Sequence, residues 1–286
     1  MLALTEITPT DSQYPSLLKQ GSLPPKSIWV AGNPEVCAQH CVSVIGSRNI
    51  SPYGRQVVRK LIPSLVRAGL TIVSGLAYGV DGEAHRVALE HGGHCCAVLG
   101  SGLHHIYPES HQKLAEEIVA TGGCLFSEYA PTVGPQTYHF PARNRIIAAL
   151  SPITVVIEAG AKSGTLITAR FALDAGREVA VVPGNIFQDG STGVHQLLKQ
   201  GAQAITSADD ILEMYRLAAP PEIAESLHPA LTGSPATLYT LISRGSCTLD
   251  DLERMTNLAV NDLYSILTVL EMDGYIYSSG SIWQKT

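Results

Sequence analysis

No apolar run in this sequence reaches membrane-spanning length, and no charged-then-apolar leader opens it. The chain is therefore expected to be cytosolic, with no membrane partner. Charged residues make up only 15% and hydrophobic ones 45%, a balance that argues against disorder and for a filled core. The six cysteines, at positions 37, 41, 95, 96, 124 and 247, form no CxxC pair. Neither a zinc site nor a disulfide frame is suggested, and buried, reduced thiols are expected. The ten histidines include no HExxH spacing. No Gly-Lys-Ser/Thr order marks a Walker A loop, and no GxGxxG follows the first strand of the main α/β region. No resident metal or cofactor is expected.

There is also no basic excess. Net charge is −6 over 286 residues. From Glu222 onward there are 8 acidic and 3 basic residues, whereas 1–221 has 17 acidic and 16 basic. The larger part has room for a local basic groove, and the C-terminal part is unlike a phosphate binder.

What is present is a strand-helix alternation. Apolar runs at Val42–Ile45, Leu70–Val73, His94–Leu99, Gly123–Phe126, Ile153–Ile157 and Glu178–Val182 are separated by helical patterns near 53–68, 81–91, 109–120, 141–150 and 164–175. A further helix near 194–200 and an edge strand at Ala204–Ile205 complete the pattern. Apolar strands joined through single helices make a mostly parallel sheet covered on both faces, an α/β, Rossmann-like, doubly wound domain over 42–217. Residues 1–41, with YPSLL and LPPKSIWVAGNP, read as an arm packed on that domain, and 218–229, beginning at AAPP, as a linker. Residues 230–286 read as three helices followed by a hairpin at GYIYSSGSIWQ, a small C-terminal winged-helix domain.

Sheets of this kind bind ligands beyond the carboxyl ends of their strands. GSRNISPYGR follows the first of them: Gly46 permits a turn, Ser47 offers a hydroxyl, Arg48 a fork of donors, and Ser51-Pro52 a helix start. EAGAKSGTLITAR brings Lys162, Ser163, Gly164 and Thr165 before another helix. FPARNRIIAAL sets Arg143, Asn144 and Arg145 at the leading end of an apolar run, with Pro141 suited to a first turn and Phe140, Tyr138, His139 and Tyr129 just upstream. The expectation is an anion site with two guanidiniums at a helix start. Aromatic rings beside arginines are what single-stranded nucleic acid requires, bases stacking while cations hold the backbone. Asp81 and His85 lie i, i+4, and a hydrogen-bonded structural pair is expected over a metal pair for want of a third ligand. Glu158 is open to a catalytic role or to orienting a donor. At least three strand ends offer phosphate-type donors without a nucleophile–base–orienter set, which suits a polyanion across the sheet edge.

VSVIGSR, IVSGLAYGVDGEAH, VLGSGLHHIYP, SEY, FPARNRIIAAL, VVIEAGAKSGTLITARFALDAGREVAVVPG and GVHQLLKQGA resemble, in order, the motifs of the DNA-processing protein A (DprA/Smf) family. The resemblance is dense over about 42–206, and the winged-helix segment is similar to the family's C-terminal module. It implies no catalysis. It implies binding of single-stranded DNA entering during natural transformation, its protection, a homodimer, and loading of the RecA recombinase. It also implies strand contact by Arg48, Phe140, Arg143, Asn144 and Arg145, with Ser47 and the Ser163-Gly164-Thr165 turn beside the same groove and Lys162 next to it. The chain departs from the pattern at His111, where asparagine is usual, and is expected to lack the helical N-terminal module of the sterile-alpha-motif type that many family members carry. The third winged-domain helix, 259–272, has no Lys or Arg, so protein contact is expected of it instead of duplex reading.

Two further readings remain. An enzyme of the Rossmann-type nucleotide phosphoribohydrolase kind would use Glu158 and the Ser163-Gly164-Thr165 loop, and would release free base from AMP. A transcription factor would use the winged helix on duplex DNA, with the sheet domain sensing a nucleotide.

Overall fold

The computed structural model describes residues 3–21, 23–38, 40–217, 231–245, 247–273, 275–280 and 282–285. The chain forms two compact units, Met1–Pro220 and Pro221–Thr286. The linker expected at 218–229 lies outside the described residues.

The first unit is built from β1 (Leu4–Ile7), α1 (Ser16–Lys19), β2 (Ile28–Gly32), β3 (Cys41–Ile45), α2 (Pro52–Arg67), β4 (Thr71–Ser74), α3 (Val80–Glu90), β5 (Cys95–Leu99), α4 (Gln112–Ala120), β6 (Cys124–Ser127), α5 (His139–Ala149), β7 (Ile153–Val156), α6 (Thr165–Asp174), β8 (Glu178–Val181), α7 (Thr192–Lys199), β9 (Gln203–Ala204) and α8 (Ala208–Tyr215). They form one nine-stranded sheet in the order β1-β2-β6-β5-β4-β3-β7-β8-β9. Pairing is parallel from β6 through β9, and antiparallel at β1–β2 and β2–β6. The stretch expected as an arm thus supplies the edge strand β1 and its neighbour β2, the two strands that pair antiparallel.

Every residue of β3 to β7 is buried, as a sheet covered on both faces demands. Alternate residues serve two cores. Val42, Val44, Ile72, Ala97 and Leu99 face α2, α3, α4 and α8, while Ile45, Val73, Val98, Phe126 and Val156 face α5, α6 and α7. Helix α2 shows the local logic. Ser51 caps it by accepting from the Gly54 N–H at 3.0 Å, Pro52 opens it, and Val58, Leu61, Ile62 and Leu65 bury one stripe. Each such side chain contributes about 1.5–3 kcal/mol on burial. Leu197, Ile211 and Leu212 are buried in the same cores, with Leu198 and Met214 packed against them. The chain runs outward from β3 to β6, returns through α5, and resumes beside β3 at β7. The strand order therefore reverses between β3 and β7, and the crevice lies there.

The second unit has α9 (Ser234–Arg244), β10 (Cys247–Thr248), α10 (Leu249–Thr256), α11 (Val260–Met272), β11 (Ile276–Ser279) and β12 (Ile282–Lys285). Its three strands pair in the order β10-β12-β11. A capping box at Thr248 and Asp251 starts α10, and Leu238, Ile242, Leu252, Leu263, Leu267 and Leu270 fill the core. This is the expected winged helix-turn-helix, with β10 an addition.

Candidate nucleic-acid interface

The loops after β3 and β7 meet at the crevice. The Thr165 hydroxyl donates to the Gly46 carbonyl at 2.9 Å, and the Ser163 hydroxyl donates to Thr165 Oγ1 at 2.9 Å. The Ser163-Gly164-Thr165 turn is thereby fastened to the Gly46-Ser47-Arg48 loop. Ser47 Oγ accepts from the Asn49 N–H at 3.1 Å, and the Val80 N–H donates to the Ser47 carbonyl at 3.1 Å. Gly79 has φ +77°, and a Cβ there would collide with the Ser47 and Arg48 carbonyls. Only glycine lets α3 start so close to this loop. Arg48 and Lys162 are both exposed at the rim.

Arg48 stands over the Phe140 ring, its guanidinium carbon 5.5 Å from the centroid. Phe140 is half-buried against Gly100, where an added Cβ would lie 2.8 Å from the ring, and Tyr107 packs on its side at 5.3 Å between centroids. Tyr107 and Tyr138 are exposed, the latter at 69%. Beside them Tyr129 stacks on His139 at 3.8 Å, and His139 Nδ1 donates to the Gly100 carbonyl at 3.1 Å. Tyr107 looks in the sequence like part of a helix start. Its place beside Phe140 arises from the β5 and β6 loops meeting, and no local pattern reveals it.

The two α5 arginines do not sit as expected. The helix begins at His139, not at Pro141, so Arg143 falls on its second turn. Arg143 is only 4% exposed. Its Nη1 donates to the Gly75 carbonyl at 2.8 Å and to the Val98 carbonyl, and its Nε donates to Asn144 Oδ1 at 3.2 Å. The guanidinium closes off the ends of β4 and β5 instead of facing solvent. Burial lowers its pKa to about 10, with the Asp81 charge opposing that shift. Asn144 and Arg145 are half-buried. Arg145 pairs with Glu128 at 2.6 Å and donates to the Ala142 carbonyl at 3.3 Å. The helix start therefore does not offer two free guanidiniums. The buried spacing 143, 146, 147, 150 is a helical stripe that marks Arg143 as inward-facing.

Asp81 and His85 do not bond to each other. Asp81 accepts from the Gly75 N–H at 3.1 Å, and burial raises its carboxyl against the opposing pull of Arg143. His85 is fully buried with no partner on either ring nitrogen, and burial lowers it to about 3, reinforced by His111 and Arg86. His111 Nδ1 donates to the Leu76 carbonyl at 2.9 Å, and its Nε2 accepts from Arg86 at 3.0 Å. Glu158 is buried at the start of α2, where it accepts from the Ser51 N–H at 3.0 Å and from the Ser51 hydroxyl. It is engaged as a helix-start anion. The Sγ atoms of Cys37, Cys96 and Cys124, remote in sequence, lie within 4.8 Å of one another in the core, and burial raises the Cys96 and Cys124 thiols.

The family profile described as DNA recombination-mediator protein A matches residues 5–216, and the DprA winged helix domain matches 218–279. Protein Smf of Escherichia coli K12 is 44% identical over 208 residues, which is 72% of this chain and 56% of that protein. The match thus spans little more than half the length of that relative. The solved structure of DNA processing protein A from Streptococcus pneumoniae is 39% identical, with a TM-score of 0.69 over 73% of this chain and 74% of that one. The Helicobacter pylori structure, described for its single-stranded DNA binding mode, is 29% identical, with a TM-score of 0.67 over 75% and 96%. With a rim cation held over an aromatic ring at the switch point of the sheet and both domains matched in order, this chain belongs to the DNA recombination-mediator protein A (DprA/Smf) family.

Proposed function

We propose that this chain binds single-stranded DNA across the rim of its parallel sheet, without cutting it, and acts as a recombination mediator in natural transformation. It shields the incoming strand and delivers it to the RecA recombinase. The observation that carries the reading is the Arg48 guanidinium over Phe140. A cation held over a ring brings both to one place on the rim, the guanidinium available to a phosphate and the uncovered part of the ring to a base. Ser47, Lys162, Ser163, Gly164 and Thr165 continue the donor row on the adjoining loop. Arg143, Asn144 and Arg145 hold α5 in place, and their contribution passes through the position of Phe140. The Helicobacter relative supports the ligand class. Among the described residues no helix is long and apolar enough to cross a membrane.

A fluorescence titration tests this. Single-stranded oligonucleotide should bind more tightly than duplex, and binding should weaken linearly on a logarithmic salt scale. Equal affinity for both, or no salt dependence, overturns the reading.

Assembly as a homodimer is part of the proposal. The apolar residues of α7 and α8 are used inside the chain, but Ile186 and Phe187 are exposed. Light scattering that gives a monomer at every concentration removes the dimer.

A further inference from the structure

The donor row leaves unused a second concentration of positive charge. Glu83, in the first turn of α3, is buried, and three arginines converge on it. Arg55 Nη1 lies 3.1 Å from Oε2, Arg59 Nε 3.1 Å from Oε1, and Arg86 Nη1 3.5 Å from Oε2. Their side chains remain 49%, 59% and 44% exposed. One carboxylate cancels one of three charges, so the cluster keeps an excess of two. Each guanidinium has five N–H donors, and the contact with Glu83 engages only part of that fork.

Two features make this more than a surface ion-pair network. The first is order. A single buried anchor fixes three long side chains that would otherwise be mobile, so little ordering is left for a ligand to impose. The second is place. Helices α2 and α3 follow β3 and β4, which are neighbours in the sheet, and both start at the rim that carries Arg48. Arg55 and Arg59 are one turn apart on α2, about 6 Å along its axis. Their line therefore leads away from the rim along the flank of the sheet domain.

We propose that Arg55, Arg59 and Arg86 form a second phosphate track, which receives the backbone of an unpaired strand as it leaves the Arg48–Phe140 site. The track rests on the single-strand reading above and extends it: the rim takes bases and phosphates, the flank takes phosphates alone. A strand too short to reach the flank gains nothing from it.

Oligothymidylates of six and of twenty nucleotides, titrated at several salt concentrations, test this with three variants. Arg55→Gln with Arg59→Gln removes two phosphate contacts. The salt slope for the longer strand should fall by about 1.4, and carrying that slope from 1 M to 0.1 M salt makes binding roughly 25-fold weaker at 0.1 M. The six-nucleotide strand should bind as before. Glu83→Gln adds one net positive charge while releasing the arginines from their anchor, so its readout is the salt slope, which should steepen for the longer strand alone. A tie that merely holds α2 to α3 would not steepen the salt slope when cut. Arg48→Ala should weaken both lengths.

Unchanged binding of the longer strand by the double variant overturns the track, as does an equal loss for both lengths. If the double variant does not fold, Glu83→Gln decides, and an unaltered slope there overturns the track. If Arg48→Ala leaves both lengths unaffected, the single-strand reading itself falls, an outcome distinct from failure of the track alone.

Discussion

Asp81 and Arg143 hold Gly75 from its two sides. The carboxylate accepts from the Gly75 N–H at 3.1 Å, and the guanidinium donates to the Gly75 carbonyl at 2.8 Å. A Cβ at this position would lie 2.7 Å from both Asp81 Oδ2 and Arg143 Nη2. The two opposite charges compensate each other where neither is well solvated. Arg143→Met should therefore cost about 3–5 kcal/mol, because it leaves a buried carboxylate uncompensated. Asp81→Asn in the same chain should recover part of that loss. Denaturant midpoints of the single and double variants check both expectations.

Arg48 and Phe140 should be separable by salt. Arg48→Ala removes one phosphate contact and should flatten the salt slope for single-stranded DNA by about 0.7. Phe140→Ala should leave the slope unaltered while weakening binding by about 1–3 kcal/mol, the range for one lost stacking partner. Parallel slopes for the native chain and Arg48→Ala would show that this guanidinium touches no phosphate.

Arg145 should behave as a structural cation. It is matched by Glu128 at 2.6 Å, so Arg145→Ala is expected to leave the salt slope unchanged. Glu128→Gln frees the guanidinium and should tighten binding modestly. A flatter slope in Arg145→Ala would place it on the strand after all.

Glu158 discriminates between a binding protein and a nucleotide hydrolase. Its carboxylate accepts from both the N–H and the hydroxyl of Ser51. Glu158→Gln should lower stability by about 0.5–2 kcal/mol, as loss of a helix cap does. Incubation of the native chain with AMP should release no free base. Release of base by the native chain, abolished in Glu158→Gln, would establish the hydrolase.

His85 should make the protein acid-sensitive. Its folded-state pKa is about 3 against an ordinary 6.5, so the unfolded chain binds the extra proton between those values. Stability should fall as pH drops through that window, at up to about 1.4 kcal/mol per pH unit. Asp81, whose carboxyl is raised, works in the opposite sense at the acid end. His85→Leu should flatten the profile from pH 7 to pH 5 and cost little at neutral pH, since neither ring nitrogen has a partner to lose. Urea midpoints across that range check it.

Much of this architecture is written locally. The runs at 42–45, 153–157 and 178–182 are mostly apolar, broken only by Ser43, Thr154 and Glu178, because their strands are covered on both faces, and that covering follows from single-helix crossovers. The Ser47-Arg48 loop, Phe140 and the Ser163-Thr165 turn are legible because they follow strands. Side-chain direction within α5 is less so. A basic residue before an apolar run looks exposed until its helical phase is read against Ile146 and Ile147. The pairing of Arg145 with Glu128, the addition of β1 and β2 to the sheet beside β6, and the convergence of Arg55, Arg59 and Arg86 on Glu83 depend on contacts across the fold. No local periodicity encodes them.

The glycine at position 79 sets a limit on how this surface can diverge. Any side chain there would push on the carbonyls that carry Ser47 and Arg48, displacing the cation from its ring. The exposed side chain at 48 meets no such barrier, and its replacement would retune the attraction to polyanions. The perch from which that residue reaches out is locked by the absence of a single methyl group.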